Sequence, residues 1–126
     1  MAIGIKIDLD RAAIAHLVKA VAPAAEKAVE ALRADVVAAQ VMPFDTGDMQ
    51  NNQTFTVVED DGDSVTAHLV TGAPQARRLY YHPEYNFQKV NNPNAGGKWL
   101  EPWIDGERKN IVQDTFAAEY KKETGV

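Results

Sequence analysis

From Asp10 to Val41 the chain repeats apolar side chains at three- and four-residue spacing: Ile14, Val18, Val21, Ala25, Ala28, Leu32, Val36 and Ala39. That period puts all of them on one stripe of a helix. Twelve alanines within the stretch give it high helix propensity and a thin surface. A thin helix lets a neighbouring backbone come close, whether from the same chain or from another copy. Pro23 interrupts the pattern without shifting its phase, which predicts one long helix kinked there. The other reading is two helices nearly in line, with Pro23 early in the second.

The flanking segments follow from this helix. Ile3, Ile5 and Ile7 alternate with Gly4 and Lys6, as in a short half-buried strand, and Asp8 or Asp10 can cap the helix behind it. Pro43 disfavours helical geometry at Met42 and Gly47 admits a positive φ, so Pro43, Asp45, Thr46 and Gly47 form a structural turn. Gln53–Glu59 alternates with Phe55 and Val57 inward, and Ser64–Thr71 alternates with Val65, Ala67 and Leu69 inward. The Gly-containing loop Asp60–Asp63 joins them as an antiparallel hairpin. After the turn Gly72-Ala73-Pro74, Arg78–His82 is short enough for one more strand. Ile111, Val112, Phe116 and Tyr120 then mark a closing amphipathic helix from about Gly106 to Glu123. The order predicts an α+β fold with an N-terminal strand, the alanine-rich helix, an antiparallel sheet of three to four strands and a C-terminal helix. The expected core is Leu32, Val36, Phe55, Val57, Leu69, Leu79, Tyr81, Trp103 and Phe116.

At 126 residues the chain suits one domain over 1–126, with an extended loop at about 86–98. The absence of cysteine excludes disulfides, thiolate metal sites and thiol catalysis. A net charge of -5 argues against a sequence-independent grip on nucleic acid, with Arg77-Arg78 the local basic patch worth naming. No apolar run is long enough to span a bilayer. The opening MAIGIKIDLD has no basic segment before an apolar run, so a signal peptide is not expected.

Six of the ten aromatic residues fall between Arg77 and Trp103: Tyr80, Tyr81, Tyr85, Phe87, Trp99 and Trp103. A polar insert, Gln88–Lys98, divides them. Aromatics of this size need something to dock on, either the core or a partner. If Arg78–His82 is a strand, Tyr80 and Tyr81 face opposite ways. Arg77, Arg78, Tyr80, His82, Tyr85, Phe87 and Trp99 are therefore the candidate partner surface, with the insert as a docking loop.

Competing chemistry is sparse. The three histidines stand at no metal-ligand spacing from one another. His82-Pro83-Glu84 brings an imidazole near a carboxylate, and a small metal-dependent or acid–base enzyme using His82, Glu84 and Asp48 is the alternative reading. The acids Glu59, Asp60, Asp61 and Asp63 lack the ligand register of a calcium loop. Asn94–Trp99 lacks the first glycine and the hydroxyl of a phosphate loop. No cofactor and no metal are expected, and no catalytic residue stands out.

Two features together resemble a known family. Met42-Pro43-Phe44-Asp45-Thr46-Gly47-Asp48-Met49 is similar to a Pro-x-Asp-Thr-Gly-x-Leu signature, with Met49 in the leucine slot. The run Ala76–Phe87, followed by Asn92–Trp99 and Glu101-Pro102-Trp103, is the second. Both resemble the minor capsid, or head–tail neck (connector), proteins of tailed bacteriophages, most of all those of phages of Gram-positive hosts. The insert Gln88–Lys98 makes the passage to the closing helix longer than is usual in that group. The resemblance implies a non-enzymatic structural role in the virion between the head completion or portal side and the tail. Its implied partners are other neck, head completion or tail proteins, and further copies of the chain in a ring. Its implied location is the virion, with the bacterial host cytoplasm during assembly, and the source is a phage or prophage.

Overall fold

The computed structural model describes Gly4, residues 10–43 and residues 47–125. The strand expected over Ile3–Ile7, apart from Gly4, and the turn positions Asp45 and Thr46 lie outside the described residues.

The helical stretch divides into α1 (Arg11–Lys19) and α2 (Val21–Ala38). Asp10 caps α1, its carboxylate accepting the Ala13 amide at 3.0 Å. Ala20 stays right-handed between the two helices, and its amide still donates to the His16 carbonyl at 3.2 Å. Pro23 falls in the first turn of α2, where a missing N–H is tolerated. The interruption thus takes the two-helix form and not that of one kinked helix. Gln40, at φ 56°, turns the chain out of α2.

Both strands and the closing helix pack on α2. Strands β1 (Thr54–Asp60) and β2 (Val65–Thr71) form a two-stranded antiparallel sheet, from Thr54 opposite Thr71 to Asp60 opposite Val65. Each pair joins an even number to an odd one, so Thr54, Thr56 and Val58 share a face with Thr71, Leu69 and Ala67. That face lies on α2. Leu69 packs against the core, Arg33 Nε donates to the Thr54 carbonyl at 3.0 Å, and the Thr56 hydroxyl donates to the Glu30 carboxylate. Phe55 and Val57 therefore face away from α2, beside Val70 and His68, and Phe55 is 45% exposed. Their expected place in the core fails through parity, because one residue of register moves a whole side-chain set to the other face.

The expected third strand is a helix. Ala76–Tyr80 forms α4, with the Leu79 amide on the Gln75 carbonyl at 3.0 Å. Ala76, Arg77, Arg78 and Leu79 are all strong helix formers with no β-branched residue among them, and Pro83 ends the helical geometry soon after. Among the described residues the sheet has two strands, against the three to four expected.

Short α3 (Asp48–Asn51) follows the turn, α5 (Glu101–Ile104) carries Trp103, and α6 (Ile111–Thr124) closes the chain. The closing helix begins later than Gly106 because the preceding turns bring the Arg108 amide back to the Pro102 carbonyl at 2.9 Å. The core sits at the C-terminal end of α2, where Val36, Met42, Met49, Ala73, Ala76, Trp99 and Trp103 are buried together. Leu32 and Leu79 are half-buried against it. Phe116 lies elsewhere, stacked on Tyr120 at 5.7 Å and set beside the small residues Ala25 and Ala28 of α2. No helix among the described residues is long and apolar enough to cross a membrane.

Candidate partner-binding surface

Because Arg78–His82 begins as a helix, its side chains are sorted by a helical period. Pro74, Arg77, Arg78, Tyr81 and His82 line one open cleft of about 560 Å³. Arg77 and Arg78 come from the short helix itself, Tyr81 caps its end, and Pro74 and His82 flank it. Leu79 and Tyr80 turn the other way, onto the core. Tyr80 meets Trp99 edge-on at 4.8 Å, and burial, followed by the neighbouring Glu101 carboxylate, raises its phenol above its ordinary value.

The two tyrosines thus exchange their expected places. Tyr81, expected in the core, is 63% exposed, and Tyr80, expected at a partner surface, is half-buried. Trp99, also expected outward, is 5% exposed and belongs to the core. Arg77, Arg78 and Tyr85 are exposed, while His82 and Phe87 are half-buried. Tyr85 stacks on His82 with ring centres 4.7 Å apart and planes 7° from parallel, and Phe87 tilts against Tyr85 at 6.5 Å. The outward ridge along this cleft is therefore Arg77, Arg78, Tyr81 and Tyr85 with the half-buried His82 among them, held from behind by Tyr80 and Trp99.

The insert behaves differently from a free docking loop. Asn92 is buried, and its Nδ2 donates to the Met42 carbonyl and to Gln50 Oε1, both at 2.8 Å. Asn94 Nδ2 donates to the Ala39 carbonyl at 2.9 Å, and the Lys98 amide to the Tyr80 carbonyl at 2.8 Å. Gly97 passes so close to the chain that a Cβ there would stand 2.7 Å from Pro83 Cα and 3.1 Å from the Leu79 carbonyl oxygen. Only glycine fits that crossing. The half of the insert from Asn92 onward is thus clamped to its own core, and only Gln88–Asn91 stands fully out, with Val90 90% exposed.

The described positions of the turn that opens this region are buried rather than peripheral. Pro43 and Gly47 are buried, Gly47 has φ 84°, and the Thr54 hydroxyl donates to the Met49 carbonyl at 2.7 Å. A polar cluster invisible to local pattern lies nearby. Asp35 Oδ2 accepts Trp103 Nε1 at 2.7 Å and Arg108 Nη1 at 3.0 Å, and the guanidinium stands 5.5 Å above the Trp103 ring centre.

His82 Nδ1 and Glu84 Oε1 are 2.7 Å apart, and that hydrogen bond holds the Glu84 carboxyl below its usual range. The side chain of Asp48, the third member of the enzyme alternative, lies outside the description. Among the described residues no three histidine or carboxylate groups are placed to hold a metal ion. His16 is exposed on α1, and His68 faces Glu59 at 3.7 Å.

Comparison with known protein families, with curated proteins and with solved structures finds no match to the chain.

Proposed function

We propose that this chain is a structural component of a tailed-phage virion, acting at the head–tail neck through protein–protein contacts and without catalysis. One observation carries the contact-based part of this reading: the ridge of Arg77, Arg78, Tyr81, His82 and Tyr85 exposes two tyrosines and two arginines on a backbone fixed from behind. Tyrosine and arginine are favoured interface anchors, and a rigid support lowers the entropy lost when they are covered. The virion part rests on the similarity of the Pro43–Gly47 turn and the aromatic run to neck proteins. On this reading the partners are neck, head completion or tail proteins and further copies of the chain. The protein would reside in the virion, after assembly in the host cytoplasm.

The test is particle assembly with Tyr81→Ala and Tyr85→Ala chains. Both variants are expected to melt within a few degrees of the natural protein, since both side chains are exposed. Particles made with them should be depleted of the chain by mass spectrometry, and heads without tails should accumulate in electron micrographs. Normal tailed particles containing both variants would refute the role of this ridge. Neighbouring genes other than portal, capsid and tail genes would count against the virion role itself.

A further inference from the structure

The hairpin carries opposite charge at its two ends. At the loop end stand Glu59, Asp60, Asp61 and Asp63, all exposed, with no basic residue among them. Asp61 is consumed locally: its carboxylate accepts the Asp63 amide at 2.9 Å, the Ser64 amide at 2.7 Å and the Ser64 hydroxyl at 3.2 Å. Asp60 Oδ1 accepts the Gly62 amide at 3.0 Å. These bonds make the tip rigid. Asp63 meanwhile has no cationic partner for its carboxylate among the described residues.

At the other end β2 leads through Gly72–Gln75 into α4 and the cleft of Pro74, Arg77, Arg78, Tyr81 and His82. Neither Arg77 nor Arg78 pairs with a carboxylate among the described residues. The paired ladder between the two ends runs for roughly 20 Å at the usual rise of a strand. An acidic tip and an arginine cleft that far apart on one rigid hairpin do not meet within one chain.

We propose that the cleft binds an acidic protein segment, namely the Glu59–Asp63 tip of a second copy of this chain. Guanidinium groups match carboxylates in geometry as well as charge, and the exposed Tyr81 ring forms an apolar wall for the arriving turn. The two surfaces differ, so one such contact leaves a tip and a cleft on the pair, to be filled either reciprocally by the same two chains or by further copies. Nucleic acid is the poorer occupant, since a chain of net charge -5 with two arginines in the cleft lacks the extended basic track a polyanion needs. The inference rests on the reading that this chain works through protein contacts. Its test needs only the purified protein, so its failure is distinct from failure of the virion role.

The experiment is sedimentation velocity of the whole chain over a rising concentration series. At low ionic strength the average mass should climb with concentration, and in about 0.5 M salt it should fall back to the monomer, as screened surface charges require. The paired substitution Arg77→Glu with Arg78→Glu, and separately Asp63→Lys, should each weaken association by roughly tenfold or more. These residues are exposed, so circular dichroism should show both variants folded. A one-to-one mixture of the two variants should associate again, because each reversed surface then meets an opposite charge. Four results would overturn the proposal. One is a natural chain that stays monomeric throughout, and another is variants that associate as it does. The third is a mixture no better than its components. The fourth is a labelled DNA duplex that binds the natural chain and is lost with the two arginines while self-association is unchanged.

Discussion

Replacing Asn92 with alanine tests the clamp that fastens the insert to the core. Asn92 is 2% exposed, and its Nδ2 serves the Met42 carbonyl and Gln50 Oε1, each at 2.8 Å. Asn92→Ala removes both donors at once. Each neutral hydrogen bond contributes about 1 kcal/mol net, and each buried acceptor left without a donor costs about 1–3 kcal/mol. Gln50 is itself buried, but its side chain is longer than that of asparagine and can turn toward water, which relieves part of the cost. The expected destabilisation is therefore about 2–4 kcal/mol. Asn94→Ala is the control. Its single bond to the Ala39 carbonyl is at the surface, and less than about 1 kcal/mol should be lost. Urea unfolding followed by tryptophan fluorescence reads both variants, because Trp99 and Trp103 lie in the core beside the clamp. Hydrogen exchange at the Gly96 and Lys98 amides, which bond to the Val41 and Tyr80 carbonyls, should accelerate in Asn92→Ala. Equal unfolding midpoints for the two variants, or an Asn92→Ala loss under about 0.5 kcal/mol, would refute the reasoning.

Two further predictions concern charge. Asp35→Ala should cost about 2 kcal/mol, mostly through the Trp103 indole, whereas Arg108→Ala should cost at most about 1 kcal/mol because its ion pair is partly in water. Thermal or urea unfolding of the two variants separates these shares, and equal losses would count against the division. The Asp61 carboxyl is held below its ordinary range first by the Ser64 amide, then by the Asp63 amide and the Ser64 hydroxyl. A depressed folded value means that the carboxylate's support of the hairpin turn is present above the unfolded value and lost as pH falls through the folded one. An NMR titration of the Ser64 amide should show a midpoint below that of a free aspartate and lose it in Asp61→Asn; an ordinary midpoint would contradict the turn geometry.

What the sequence made legible follows the range of each interaction. The helical stretch, the acidic hairpin loop and the Asp10 cap rest on neighbours within a few positions and appear where periodicity and turn chemistry put them, although the stretch divides at Ala20 and Ile14 and Val18 of its stripe stay exposed. Phe55 and Val57 could not be placed that way. Alternation finds both strands but not the parity of their pairing, which the Asp60–Val65 closure decides. Asp35 and Trp103 stand 68 positions apart and Asn92 and Met42 stand 50 apart, so no local pattern announces either contact.

The exchange of Tyr80 and Tyr81 has a different origin. A run as short as Leu79-Tyr80-Tyr81 suits a strand or a helix equally by periodicity, and the choice falls to the residues before it. Ala76, Arg77 and Arg78 favour the helix, and that outcome changes what the segment can present. A strand would have put Arg77 and Arg78 on opposite faces, whereas the helix gathers both beside Tyr81 and His82 in one cleft. The same winding turns Tyr80 onto Trp99, so the residues that stiffen the ridge and the residues that form it come from adjacent positions. A substitution that restored strand geometry here would scatter the arginines as well as loosen the core, so the conformation of five residues governs both stability and the partner surface.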